Sequence, residues 1–265
     1  FATSSGQRSK PRNDENHYTA CHTSRRQPHS LTMLEKYIEE VERRRKRFVV
    51  YSDEAATVAE QLATRNVTVE RRALPATGPE AFVEIYDDDR FLGAISLDDL
   101  QVLLSPPIVR PSDREDVGEA YRALLEVLDG TLFATLERRH LRATSHEFET
   151  RARQVGRGTL RVGFQSLSAF EPQTEVYRRL GEETDLDIHV YGRPDWNPPT
   201  IPNVTYHPDT EGTFTQYWFL AFDGGDEQSQ RCALVARERD EGYRGFWTYD
   251  SSMVGDILAT IEAGT

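Results

Sequence analysis

The chain has 265 residues, with 44 acidic against 32 basic side chains, a formal net charge of −12 and two cysteines. That length can bury a real core in one large domain or two small ones, and the acidic balance disfavours nonspecific nucleic-acid or anionic-membrane binding. Cys21 and Cys232 make neither a disulfide framework nor a zinc site. No run of about 18 apolar residues offers a transmembrane helix, and the first thirty residues have no apolar signal-peptide core. The expected location is therefore cytoplasmic.

Lysine is confined to Lys10, Lys36 and Lys46. An acidic, arginine-rich, lysine-poor chain is the composition expected of a halophile, whose surface carboxylates keep the protein in solution; a GC-rich genome is the alternative source. Residues 1–32 are rich in Ser, Arg, Gln, His and Pro, carry five basic and two acidic residues, and are expected to be a disordered leader or upstream sequence. On that reading Met33 is the start of the folded chain. From there to Thr265 the balance is 27 basic to 42 acidic, and the self-repulsion should be relieved by molar salt.

Leu34, Tyr37, Ile38 and Val41 lie at helical spacing behind a Thr32 cap. Phe48–Tyr51 reads as a buried strand, 54–65 as a helix and Val67–Glu70 as an alternating strand. Residues 81–86 and 90–95 flank Asp87-Asp88-Asp89 as a hairpin. A short helix over 97–104 ends before Pro106-Pro107. The middle reads as helical, over 114–128 and again from about 132 to 155, until Gly156 and Gly158 stop it. A strand over 160–164, a helix over 167–183 interrupted early by Pro172, and a strand over 188–191 follow. A proline-rich loop over 194–202 holds Trp196.

Three apolar, ring-rich runs close the chain: 217–222, 232–236 and 245–249, read as successive antiparallel strands before a C-terminal helix. Alternation puts Tyr217, Phe219 and Ala221 on one face and Trp218, Leu220 and Phe222 on the other; Phe246 and Thr248 oppose Trp247 and Tyr249. One face must pack on the helix bearing Met253, Ile257, Leu258 and Ile261. The other face either packs as core or lines a ligand pocket, with Trp218, Trp247, Tyr217, Phe246 and Trp196 as candidate ligand-binding residues.

The chemistry-bearing residues argue against an evident catalytic or metal centre. Gly156-Arg157-Gly158 follows a helix and precedes a strand, the reverse of a phosphate-binding order. His140 and His146 sit about 600° apart around a helix, on different faces. His189 alternates with apolar neighbours as a satisfied sheet residue would, and Ser166, Ser168, Ser251 and Ser252 stand at helix-cap positions. No cofactor is indicated. Val49-Val50-Tyr51-Ser52 followed by Asn66-Val67-Thr68-Val69 has a faint echo in His189-Val190-Tyr191-Gly192 followed by Asn203-Val204-Thr205-Tyr206.

Residues 153–165, 186–192, 218–225 and 245–250, together with Glu39–Arg44 and the strand after it, resemble the haloarchaeal branch of the DICT sensory domain family. The resemblance covers about 33–261. It implies a signal-input module, associated with light response, without catalytic activity or assigned binding residues. It also implies a signalling partner: a histidine kinase, response regulator or transcription regulator. No kinase, cyclase or receiver motif is present in this sequence, so the output is expected on a separate protein.

The expected architecture is mixed α/β: mixed sheets around a central helical region, with halves 33–105 and 156–265 joined by helices over 112–155, and a hint of internal duplication. The expected role is a stand-alone cytoplasmic sensor for a small ligand or protein partner. Two rival readings remain. One is a DNA-associated regulator with a helix-turn-helix between Arg114 and Val155 and clustered Arg138, Arg139, Arg142, Arg151 and Arg153. The other is an enzyme whose site is dispersed through the sequence.

Overall fold

A computed structural model describes residues 33–44, 46–52, 67–74, 80–104, 125, 126, 128–131, 133–240 and 242–264. These residues belong to one compact unit, Leu31–Thr265. The expectations for the leader, for a helix over 54–65 and for most of a helix over 114–128 lie outside the described residues.

The first half builds a four-stranded sheet. Helix α1 (Glu35–Arg43) leads into β1 (Lys46–Tyr51), which pairs in parallel with β2 (Val67–Arg72) and antiparallel with β3 (Phe82–Asp87). Strand β4 (Arg90–Ser96) returns antiparallel to β3, and α2 (Leu97–Leu104) follows. The expected hairpin is present: Asp88 takes the left-handed φ of 52° that a tight turn requires and that a short polar side chain tolerates. A register shift between Ile85 and Tyr86 keeps Phe91 opposite Tyr86 while Leu92 packs against the core.

The second half builds a seven-stranded sheet, ordered β5-β11-β10-β9-β6-β7-β8. Its elements are β5 (Phe133–Leu136), α3 (Arg138–Val155), β6 (Arg157–Ser166), α4 (Thr174–Glu183), β7 (Asp185–Arg193), β8 (Val204–Pro208), β9 (Tyr217–Phe222), β10 (Cys232–Arg239), β11 (Gly242–Thr248) and α5 (Ser251–Ala263). Strands β6, β7 and β8 run parallel, whereas β6, β9, β10, β11 and β5 form an antiparallel meander. Pro172 sits in a 3-10 turn over Leu167–Gln173 ahead of α4, where its missing N–H disturbs no α-helical bond.

Residues 133–136 correct the sequence reading. They continue a helical pattern in the sequence but form β5, because their backbone pairs with β11 from more than a hundred residues away. Among the described residues, the element directly ahead of α3 is therefore this strand and not a helix. Gly156 ends α3 as expected, at a left-handed φ of 74°. Gly163 is needed for a different reason. A Cβ there would overlap the ring of Phe219 on the neighbouring strand.

Both faces of the large sheet are roofed. Tyr217, Phe219, Ala221, Ala233, Val235 and Phe246 pack on α1 and α5 through Leu34, Tyr37, Ile38, Val41, Met253, Val254, Ile257 and Ile261. Leu160, Val162, Leu186, Ile188, Val190, Leu220, Phe222, Leu234 and Trp247 face α3 and α4, in a core shared with Phe48, Val50, Val83 and Ile85 of the small sheet. The alternation read from the sequence thus holds across β9 and β11.

The two sheets share a topological unit. Order β2-β1-β3-β4 has the same strand directions as β7-β6-β9-β10: a parallel pair, then two antiparallel neighbours. The sequence echo aligned β1 with β7, but topology aligns β1 with β6. Strand β6 lies between β7 and the returning hairpin, so the local echo is one strand out of step.

Candidate functional site

The two sheets meet at a turn, residues 128–131, held from both sides. On the large-sheet side, Gly130 N–H donates to Trp247 O at 2.9 Å, Tyr249 N–H to Asp129 Oδ1 at 3.0 Å, and the Trp247 indole to Leu125 O at 2.9 Å. On the small-sheet side, Lys46 Nζ donates to the carbonyl oxygen of Asp129. Lys46 opens β1, next to Asp87 at the end of β3, so strand pairing carries an ammonium group into the junction.

A cavity of about 550 Å³ opens over this junction. Val41 and Arg44 come from α1 and its end, Asp87, Arg90 and Leu92 from the β3–β4 hairpin, and Thr248, Asp250 and Met253 from the β11–α5 corner. Glu126, Asp129 and Gly130 complete the wall. Both signs of charge thus surround a few apolar side chains, the lining expected for a small ligand with polar groups of its own.

Its floor is electrostatically unusual. Lys46 is only 8% exposed, and burial lowers its pKa against the opposing pull of Asp129 and Asp87. Burial also raises the pKa of Asp129, opposed by the Tyr249 N–H and by Lys46. A buried amine beside a half-buried carboxyl, with the ionised form of each disfavoured, marks a functional candidate. Asp250 on the rim caps α5, accepting from Ser252 N–H at 2.9 Å and Met253 N–H at 3.1 Å. Asp250, not Ser251 or Ser252, is therefore the cap.

A second cavity of about 490 Å³ lies toward the opposite edge of the large sheet, near β7 and β8, lined by Met33, Tyr191, His207, Asp209, Phe214 and Gly264 among others. His207 stacks on Tyr191 at 4.6 Å and bonds His189 at 2.9 Å, while His189 bonds Asp187 at 3.0 Å. Burial, with His189 and Arg161 nearby, lowers the His207 pKa. Asp209 accepts three backbone N–H groups, from Gly212, Thr213 and Phe214, and closes a turn. No group of three or more His, Cys, Asp or Glu side chains suited to a metal occurs among the described residues.

The five ring residues singled out in the sequence are separated by the fold. Tyr217 and Phe246 lie under α1 and α5; Trp218 and Trp247 lie on the opposite face. Trp247 is 2% exposed and stacks on Phe133 at 4.6 Å. Trp218 is partly buried, with its indole donating to Ser145 Oγ at 3.0 Å. Trp196 packs against the same core from its loop. None of the five lines either cavity, and Trp247 touches the junction only through its backbone and indole.

Three of the five clustered arginines of the central region are engaged by carboxylates. Arg138 pairs with Glu238, Arg139 with Glu137, and Arg151 with Glu126 and the buried Glu147. Arg151 also lies 4.7 Å over the Tyr249 ring. His140 bonds the Glu137 N–H in a capping box at the start of α3. Ser168 donates to Asp195 through both N–H and hydroxyl, and these bonds lower the Asp195 pKa.

Sequence reasoning missed the junction. Its one available signal was Lys46, one of three lysines in the chain, standing immediately before an apolar strand. Among the described residues, no helix is long and apolar enough to cross a membrane.

A search of curated proteins gives no match. Among solved structures, the chain is similar to polyphosphate kinase from Porphyromonas gingivalis at 10% identity, over 88% of this chain and 48% of that one, with a TM-score of 0.34. The chain thus spans about half of that protein, and a likeness this slight carries no inference about fold or activity. Residues 121–239, ending with β10, match the DICT family model, described as a sensory domain in diguanylate cyclases and two-component systems.

Proposed function

We propose that this protein is a stand-alone sensory module whose junction cavity takes a small ligand bearing both anionic and cationic groups, and that it signals to a separate output protein. The observation that carries the reading is the Lys46–Asp129 link, buried in the floor of a cavity whose walls come from both sheets and from α1. Arg44 and Arg90 offer anion contacts, and Asp87, Glu126 and Asp250 offer cation contacts. A ligand spanning them would favour one relative setting of the two sheets, and only such differential affinity can transmit a signal. The DICT match over 121–239 supports a sensory role. On this reading the partner is a signalling protein in the cytoplasm of a halophile.

The test is mass spectrometry of small molecules extracted from protein purified natively at high salt, alongside thermal shifts with amino acids and nucleotides. A ligand retained by the native chain and lost in Arg90→Ala supports the proposal. Equal retention by both proteins, or a native chain that carries nothing and shifts with no compound, defeats it.

A further inference from the structure

The cavity beside β7 and β8 is walled by rings and by charged groups of one sign. It lies where the roof of α1 and α5 ends: Met33 precedes α1, Gly264 follows α5, and Tyr191, His207 and Phe214 supply rings from the sheet and from the loop after β8. Tyr191 and Phe214 are buried and meet edge-on at 5.5 Å, which makes the wall apolar. The charged side chains there are carboxylates. Asp209 is fixed by three backbone N–H groups, whereas Glu211 is exposed and forms no ion pair among the described residues. Because α5 ends at this cavity, the negative end of its dipole lies there too, and its last turn has no basic side chain to offset it. Among the described residues, no lysine or arginine lines the space.

His207 joins this set through its neighbours. An ionised Asp187 only accepts, so the His189 Nε2 that bonds it at 3.0 Å carries the proton and, with both rings neutral, His189 Nδ1 accepts. His207 Nε2, 2.9 Å from that nitrogen, then donates, and Nδ1 is left as an acceptor on a ring that lines the cavity. Burial favours the neutral form of His207. The cation near it, Arg161, is engaged by the Tyr191 hydroxyl oxygen and by Glu262 at 3.5 Å.

We propose that this cavity is a second ligand site, separate from the junction, and that it takes an organic cation: an ammonium group carried on an apolar body. Carboxylates, a helix C-terminus and an imidazole lone pair attract the charge, and the buried rings cover the body. A volume of about 490 Å³ lies within the range of small-ligand pockets. The junction cavity has both signs of charge in its walls and lacks this bias. The two sites rest on different residues, and neither needs the other.

Isothermal titration of the full chain with phenethylamine, phenethyl alcohol and hydrocinnamate, at one pH and ionic strength, tests the proposal. The amine should bind at least about tenfold more tightly than the alcohol, and the carboxylate most weakly. Glu211→Lys, at an exposed position, should weaken the amine at least about fivefold, leaving the alcohol and the thermal midpoint unchanged. His207→Phe keeps a ring to stack on Tyr191 but removes the acceptor, and it should weaken the amine by about the same factor. Arg90→Ala, in the junction, should leave amine binding as it is. A chain that binds none of the three compounds, or binds the carboxylate as tightly as the amine, overturns the proposal. Amine binding that survives both Glu211→Lys and His207→Phe, or that is lost in Arg90→Ala, belongs elsewhere on the molecule and overturns it as well.

Discussion

Glu149 on α3 offers a direct test of how burial sets this protein's stability. The residue keeps some exposure, but its carboxyl is enclosed between α3 and α4, where the Tyr177 hydroxyl donates to Oε1 at 2.7 Å. Phe164 and Phe170 lie edge-on to the Tyr177 ring at 6.5 and 5.1 Å. Burial raises the Glu149 pKa from 4.5 to about 7, and the tyrosine bond only partly opposes it. The folded protein therefore holds this proton at pH values where the unfolded chain releases it. The associated stability is complete below 4.5 and is lost as pH rises through about 7. A displacement of that size corresponds to about 3 kcal/mol, and the residual exposure reduces the expected effect to about 1–2 kcal/mol. Glu149→Gln keeps an acceptor for Tyr177 but cannot ionise. It should stabilise the protein by about 1–2 kcal/mol at pH 8, a rise of about 2–8 °C in Tm for a domain of this size, with little effect near pH 4.5. Urea denaturation of both proteins at the two pH values, in the same salt, makes the measurement. An equal difference at both pH values, or a loss that grows with pH, would refute the reasoning.

Two further substitutions probe the large sheet. Trp247→Ala should cost about 3–5 kcal/mol, since it opens a cavity beside Phe133 and strands the Leu125 carbonyl; the same change at the partly exposed Trp218 should cost less, and equal losses in denaturant titrations would contradict their different burial. Glu35→Ala removes the carboxylate shared by Arg237, Arg239 and Arg244 beneath α1. It should cost about 3 kcal/mol or more and hasten proteolytic cleavage within α1, while unchanged cleavage would show that the helix is held by its apolar face alone.

What the sequence determined was local: period and punctuation. Alternating rings placed β9 and β11 and assigned their faces, three aspartates marked the β3–β4 turn, and Gly156 stopped α3. Each of these depends on neighbours within a few residues, which a pattern along the chain records. Tertiary structure decided the rest. The residues of β5 follow a helical pattern and become a strand because the edge of β11 offers backbone partners. Lys46 looks like a solvent cation at the head of a strand, and only Asp129, 83 residues further on, makes it a buried group. The outcome for Trp247 is of the same kind: the sequence left core and pocket open, and the indole is covered by Phe133 and the Leu125 carbonyl. Desolvation depends on which distant segments close over a group, and nothing in the spacing of nearby residues encodes that closure.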